Sequence, residues 1–326
     1  MNKRFQSMCH SMMVLLLVAI TSLPMTALGQ AYPSKPVRMV VGFAAGGPAD
    51  VIARALGRRL ASYLGEPVVV ENRPGADANI AMDVVARAAP DGYTLLLAQS
   101  GLSINPSLYG KVPFDPLRDF IPISFVGEAS NFVVVHPSVP VHSLKEFIDY
   151  AKANPGKLNY ASTSSPTQLA TEMLNQMAGV SIVRIPFKGA APAIPELLSG
   201  RVQVMISSIG TLLPHVKANK VRVLAVTGAA RSSLTPDVPT VDEAGIPGYS
   251  ATTWYGVVAP GGTPRAIIER LNSDIRKVLS EPEIKSLLLA QSIDAAPSSP
   301  EEFDAFIRAD IAKWQKVVKT SGAKID

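Results

Sequence analysis

Val37–Asp50 reads VRMVVGFAAGGPAD. Strand-type apolar residues run from Val37 to Gly42, broken only by Arg38, and give way at once to Phe43, Ala44, Ala45, Gly46 and Gly47. Beyond Asp50 the apolar positions Val51, Ile52, Leu56, Leu60 and Leu64 share one helical face. The pattern predicts a strand, a tight glycine turn and a helix start. Without a Cβ, Gly46 and Gly47 let the turn take unusual φ and let a ligand approach the backbone closely. Pro48 suits a first helical position, and Asp50 can fold back onto the cap. Amides exposed at such a start attract an anion, by roughly 0.3 to 1 kcal/mol at a surface and about 2 kcal/mol when partly buried. A plain strand-to-helix connection without a ligand fits the same residues. The spacing is neither GxGxxG nor GxxxxGK followed by Ser or Thr, so nucleotide binding has no support.

Upstream of this stretch, Lys3 and Arg4 precede an apolar run from Met12 to Ile20 that is too short to span a bilayer. Pro24 and small residues follow up to Ala31. Residues 1–31 therefore read as a secretory signal, cut after Ala31 or two residues earlier; an N-terminal anchor that stays attached is the alternative. The one cysteine, Cys9, lies inside that leader. The exported chain then has no thiol for disulfides, thiolate catalysis or cysteine metal sites. Lysine and arginine outnumber aspartate and glutamate by 31 to 26, and by 29 to 26 once Lys3 and Arg4 leave. The basic residues are scattered, with no run such as nucleic-acid binding favours. Roughly 295 exported residues exceed what one core usually holds, so two lobes are expected.

Downstream, strand and helix patterns alternate, which predicts an α/β fold with a mainly parallel sheet. Strands are expected at 67–70, 93–98, 123–126, 132–135, 158–161, 182–185, 202–206, 221–226 and 253–258, and helices at about 80–89, 144–152, 166–177 and 191–198. Residues 101–122, rich in proline and without steady periodicity, read as a loop. Two amphipathic helices close the chain, one with Ile267, Ile268, Leu271, Ile275 and Val278 on a face, the other with Phe303, Phe306, Ile307, Ile311, Trp314 and Val318. Ser143 with Glu146, Ser165-Pro166 with Gln168, and Ser299 with Glu302 have capping-box spacing, and Thr263-Pro264 repeats the theme.

Three further loops gather polar groups after a strand. In Glu71–Asn79 the residues of interest are Asp77, whose carboxylate in a cleft would repel an anion or accept from a ligand donor, and Asn79, whose first role is to cap the next helix. In Tyr160–Gln168 the hydroxyls of Ser162, Thr163, Ser164, Ser165 and Thr167 converge on a helix start suited to a carboxylate, although a serine-rich cap without a ligand reads the same. In Ile185–Ala191, Lys188 is a candidate anion contact. Ser207 ends a strand, where ligands sit in open α/β sheets.

Catalytic signals are weak. His136, His142 and His215 have no partner at metal-ligand spacing, and HExxH, GxSxG and CxxC are absent from the sequence. No nucleophile and base can be assembled, so an exported hydrolase or isomerase is the least favoured reading. No metal or other cofactor is expected.

In combination the pieces become specific. After the leader come Tyr32-Pro33-Ser34-Lys35-Pro36-Val37-Arg38, then Gly42-Phe43 with Gly46-Gly47 and Asp50, Val69–Ala76, and Ala89-Pro90-Asp91-Gly92-Tyr93-Thr94. Pro186-Phe187-Lys188-Gly189, Asp237-Val238-Pro239-Thr240, Trp254-Tyr255-Gly256 and Gly262-Thr263-Pro264 complete the order. Over essentially all of 32–326 the chain resembles the Bug, or TctC-like, family of periplasmic solute receptors serving tripartite tricarboxylate transporters.

The resemblance implies a two-lobed periplasmic-binding-protein fold, type II-like, with a ligand cleft between the lobes. Residues 32–131 and 229–326 would make one lobe and 132–228 the other. It implies a non-enzymatic monomer that binds a small organic acid in the periplasm and delivers it to integral membrane permease subunits, or else reports it to a membrane sensor. One ligand carboxylate would be gripped by Phe43, Ala44, Gly46 and Gly47 on one side and by Ser162, Thr163, Ser164, Ser165 and Thr167 on the other. Asp50 matches the position that closes the first motif, where orienting the loop is preferred to touching the ligand. Two departures fall where ligand choice is made. The family tends to have Gly-Gly where this chain has Asp77-Ala78, and more glycines and a histidine in the loop that ends at Gln168.

Overall fold

Val37–Val41 forms strand β1, buried except at Arg38, and its glycine turn leads into helix α1 (Pro48–Leu64). The structure is a computed structural model that describes residues 32–187 and 189–324; the expected leader at 1–31 with its cleavage site, and Lys188, lie outside them. Next come β2 (Val68–Asn72), a 3₁₀ turn (Ala76–Ala78), α2 (Asn79–Ala86), β3 (Thr94–Gln99), α3 (Gly101–Leu108) and β4 (Phe120–Ala129). A second block follows: β5 (Asn131–Val135), α4 (Leu144–Ala153), β6 (Asn159–Ser162), α5 (Ser165–Ala178), β7 (Val183–Pro186), α6 (Ala190–Leu198), β8 (Val204–Ser208), α7 (Ile209–Lys217) and β9 (Arg222–Val226). The chain then runs through β10 (Thr253–Pro260), α8 (Arg265–Ser280), α9 (Pro282–Ala290), β11 (Ile293–Ala295) and α10 (Pro300–Ser321).

Two sheets result, ordered β11-β4-β10-β3-β1-β2 and β7-β6-β8-β5-β9. The α/β class is as expected, but both sheets are mixed. Parallel β1–β2, β1–β3, β6–β7 and β6–β8 pairs follow from βαβ crossovers. β10 is antiparallel to β3 and β4, and β5 is antiparallel to β8 and β9. These are the strands next to the two passages between the sheets, at Ser130 and over 227–252, where no crossover helix dictates direction.

Several predicted features need correction. The proline-rich start of 101–122 is helix α3, and its residues 101 to 105 are all buried. A helix enclosed on every side shows no apolar stripe, so periodicity could not reveal it, and Pro106 argued against it. Between the two amphipathic helices lies α9, with only Ile284 and Leu288 buried. The capping box at Ser299 and Glu302 is complete. Ser143 accepts from the Glu146 amide, but Glu146 reaches back to the amide of His142. The Ser165–Gln168 box does not form: Ser164 occupies the cap position, and Gln168 donates to the Lys324 carbonyl. Thr263 bonds the Pro260 carbonyl instead of capping α8.

The apolar face of α10 serves two cores. Phe303, Ile307 and Ile311 pack with Val40, Leu96, Phe125 and Trp254 of the first sheet and with α2. Trp314 and Val317 join Ile104 and Leu108 of α3, Tyr160, Leu169 and Tyr249 beside the second sheet. Phe303 and Trp254 meet edge to face at 5.5 Å. The Trp254 indole N–H donates to the buried Asp310 carboxylate at 2.8 Å.

Phe303→Ala removes a fully buried ring from this junction, and its expected cost is about 3–5 kcal/mol. Urea unfolding of the variant and parent checks this, with the midpoint lowered and the slope unchanged.

Candidate functional site

The turn after β1 is fixed by a buried carboxylate. Asp50 is 3% exposed and accepts from the Gly46 amide at 2.9 Å and from Arg54 Nε at 3.0 Å through Oδ2. Its Oδ1 accepts from Asn72 Nδ2 at 2.9 Å, and Asn72 also donates to the Phe43 carbonyl at 3.0 Å. Arg54 closes the ring by donating to Asn72 Oδ1 at 2.9 Å. Gly46 sits at φ +85°, where a side chain would be strained. The bond from Arg54 leads the effects that hold the Asp50 carboxyl at about 2, below its ordinary 3.8; the Gly46 and Asn72 donors act with it, and burial opposes them.

Against this turn lies Ala76–Ala78. A Cβ on Gly42 would come within 2.2 Å of the Ala78 Cβ, so glycine is what lets the end of β1 and this turn touch. Ala76, Asp77 and Ala78 all have left-handed φ, at +47°, +51° and +71°. Such residues cost of order 1 kcal/mol each, less for Asp than for Ala. Glycine would hold this backbone without strain, and the chain carries side chains there instead. The Asp77 Oδ2 accepts from the Ser165 amide at 3.2 Å and from the Ser165 hydroxyl, at the first turn of α5. Its carbonyl accepts from Asn105 of α3 at 2.9 Å.

The loop before α5 is tied together by its hydroxyls. Thr167 Oγ1 lies 3.2 Å from Thr163 Oγ1 and 3.1 Å from Ser164 Oγ, and donates to the Ser164 carbonyl. Ser162, at the end of β6, accepts from Arg184 Nε at 3.2 Å. The Ser162 carbonyl accepts from the Phe187 amide at 2.8 Å, which draws the β7 loop alongside.

These loops enclose two adjoining cavities. The larger, about 960 Å³, is lined by Gly42, Phe43, Ala44, the turn at 74–78, Tyr109, Ser162–Ser165, Gln168, Arg184 and the β7 loop. The second, about 600 Å³, shares Phe43, Ala44, Asp77, Thr163 and Ser164 with it and adds Gly47, Thr167, Asn131, Ser207 and Tyr255. Burial raises the Tyr255 phenol to about 12, so it stays a neutral donor.

Of the residues expected to contact ligand, Phe43, Ala44, Gly47, Asp77, Ser162, Thr163, Ser164, Ser165, Thr167 and Ser207 line one cavity or the other. Gly46, Asp50 and Asn79 line neither. Gly46 and Asp50 bond to each other within the turn. Asn79 does not cap α2; it is buried and accepts from Asn105 Nδ2 at 2.8 Å, because the strained turn leaves Ala78 in the cap position. Lys188 lies outside the described residues.

The lining also includes three residues that the sequence reading passed over. Arg184 stands on a strand of only four residues, too short for alternation to show which side it faces. Tyr109 follows α3, in a stretch whose proline content and lack of periodicity predict a loop. Gln168 has the spacing of a capping-box residue. Burial first and the Asp77 charge second raise the Tyr109 phenol above its ordinary value. Among the described residues, Asp77 and Arg184 are the charged residues lining the larger cavity.

Residues 52–323 match the model of the tripartite tricarboxylate transporter family receptor, TctC. Protein BugT of Bordetella pertussis strain Tohama I is 38% identical over 298 residues, spanning 90% of this chain and 91% of BugT. Among solved structures, R. palustris Rpa4515 with adipate is similar at a TM-score of 0.80 and 35% identity, over 90% of this chain and 100% of that one. MatC (Rpa3494) from Rhodopseudomonas palustris with bound malate is similar at a TM-score of 0.76 and 31% identity, over 88% and 100% of the two chains.

Two predictions come from the geometry. Gly42→Ala forces the end of β1 away from Ala78, so thermal stability falls by on the order of 1–3 kcal/mol, and a structure of the variant shows the turn at 76–78 displaced. The Asp50 contribution, on the order of 2 kcal/mol, is complete above the unfolded value near 3.8 and is lost as pH falls through about 2. The stability difference between parent and Asp50→Asn, followed by urea midpoints, is therefore flat from pH 7 to pH 5 and narrows below pH 4.

Proposed function

Because the chain belongs to the tripartite tricarboxylate transporter receptor family, TctC, we propose that it captures a small organic carboxylate in the periplasm and hands it to integral membrane permease subunits. On this reading residues 1–31 direct export and are removed near Ala31. The mature monomer closes two lobes, 32–131 with 229–326 and 132–228, around the ligand. The observation that carries the reading is that Phe43 and Ala44 and the loop Ser162–Ser165, far apart in sequence, line one cavity.

At about 960 Å³ that cavity has the volume of a small-molecule site. Amides of the opening turn, the hydroxyls of Ser162, Thr163 and Ser164, and Arg184 supply donors to a carboxylate. Micromolar affinity requires about 8 kcal/mol. Hydrogen bonds to a charged group contribute roughly 1.5–3 kcal/mol each, and association entropy opposes them. Exclusion of water on closure, and burial of the ligand's carbon skeleton, make up the difference. Closure follows occupancy because the ligand touches both lobes only when they are shut.

A panel of mono-, di- and amino-substituted acids, each paired with its amide or alcohol, tests this by thermal shift. At least one acid raises the melting temperature and its neutral counterpart does not; equal shifts from neutral analogues defeat the carboxylate grip. Thr163→Trp abolishes the shift while the unliganded variant keeps its circular dichroism. For the delivery step, deletion of the gene removes growth on the identified acid, and undiminished growth argues against handover to a permease.

A further inference from the structure

We propose that Asp77 is a latch: its bond to Ser165 joins the two walls of the cleft directly, protein to protein, and so sets how much of the free protein stands shut. The inference takes from the receptor reading above the premise that the cleft opens and closes.

Three observations carry it. First, the bond runs from one sheet's loops to the other's. Asp77 stands in the turn after β2 of the first sheet, and Ser165 opens α5 after β6 of the second. Asp77 Oδ2 accepts from the Ser165 amide at 3.2 Å and from the Ser165 hydroxyl, and Ser165 is buried. Hydrogen bonds to a carboxylate are roughly twice as strong as neutral ones.

Second, the carboxylate is presented to α5 by a turn that is costly to build. Ala76, Asp77 and Ala78 keep left-handed φ. Asn105 of α3, fully buried, fixes the turn from behind by donating to the Asp77 carbonyl at 2.9 Å and to Asn79 Oδ1 at 2.8 Å. A glycine at 77 would relieve the strain but carry no group to reach Ser165. Both side-chain hydrogen bonds of Asp77 among the described residues go to Ser165, so the strained position is matched to that one contact.

Third, the chain passes between the sheets at a pinned crossing. The Asn131 amide donates to the Thr227 hydroxyl at 2.9 Å, the Thr227 amide to the Asn131 carbonyl at 2.9 Å, and the Ala251 amide to the Thr227 carbonyl at 2.8 Å. A Cβ on Gly228 would fall 2.1 Å from Ser130 Oγ, so the crossing segments are in close contact and turn more easily than they slide. Asn131 and Asp77 both line the second cavity. The cleft therefore lies between the crossing and the latch, and rotation about the crossing parts Asp77 from Ser165. A ligand that touches both walls binds the shut form, and its apparent affinity scales with the fraction of protein already shut. The latch raises that fraction for every ligand alike.

The test needs no ligand. Parent, Asp77→Ala, Ser165→Ala and the double variant are freed of co-purified small molecules by dialysis in denaturant, refolded, and compared by small-angle X-ray scattering and urea unfolding. Asp77→Ala keeps a Cβ on the turn, as Ala76 and Ala78 do, and Ser165→Ala keeps the carboxylate. The radius of gyration is expected to rise in both single variants, with circular dichroism unchanged, and to rise no further in the double. In the unfolding equilibrium constants the two substitutions are coupled by about ten-fold. Should one single variant not refold, the scattering of the other decides. A lowered urea midpoint with the parent's radius of gyration makes the pair a packing contact and overturns the inference. Additive effects of the two substitutions also overturn it, because the bond is then not made in the free protein. Either failure leaves the carboxylate receptor standing; that reading falls instead if no acid of the earlier panel shifts the melting temperature.

Discussion

One buried carboxylate holds together three pieces of chain on which the cleft depends. Asp50 sits on α1, yet it bonds the amide of Gly46 in the turn before it and the amide group of Asn72 at the end of the neighbouring strand. Arg54, one helical turn further on, bonds both Asp50 and Asn72. The glycine turn is flexible in principle, because Gly46 and Gly47 restrict φ very little. Its conformation is set from behind by this ring, and the ring contributes nothing to the cavity wall. The residues that line the site and the residue that shapes it are different.

The same separation explains what could be read from the sequence. Strand β1, the glycine turn and α1 are local: period, punctuation and capping residues lie within about thirty positions, and they were placed correctly. Most other strands and the terminal helix were legible for the same reason. Helix α3 was not, since its buried surroundings erase the contrast between faces. Nor was α7, whose Gly210 and Pro214 argue against a helix that tertiary packing of Ile209 and Leu212 sustains.

At the site, polarity was legible and partnership was not. The serine and threonine run before α5 announced a helix start rich in donors, and Asp77 was marked as a carboxylate in a cleft. That the two meet across 88 positions depends on Gly42, whose missing Cβ lets the turn at 76–78 close in. Asn79 was misplaced because the left-handed run ahead of it shifts the cap by one residue. Arg184 escaped notice because a lone arginine on a short strand carries no pattern of its own.

The terminal helix α10 has a thermodynamic bearing that reaches past its packing. Its first half is embedded with Phe303 and Ile307 beside the first sheet and its second half with Trp314 and Val317 beside the second. Detaching either half bares apolar rings and also strains the covalently continuous turn that serves the other. The two sheets thus share the stability that this one helix supplies, and a change that loosens either half is felt by both.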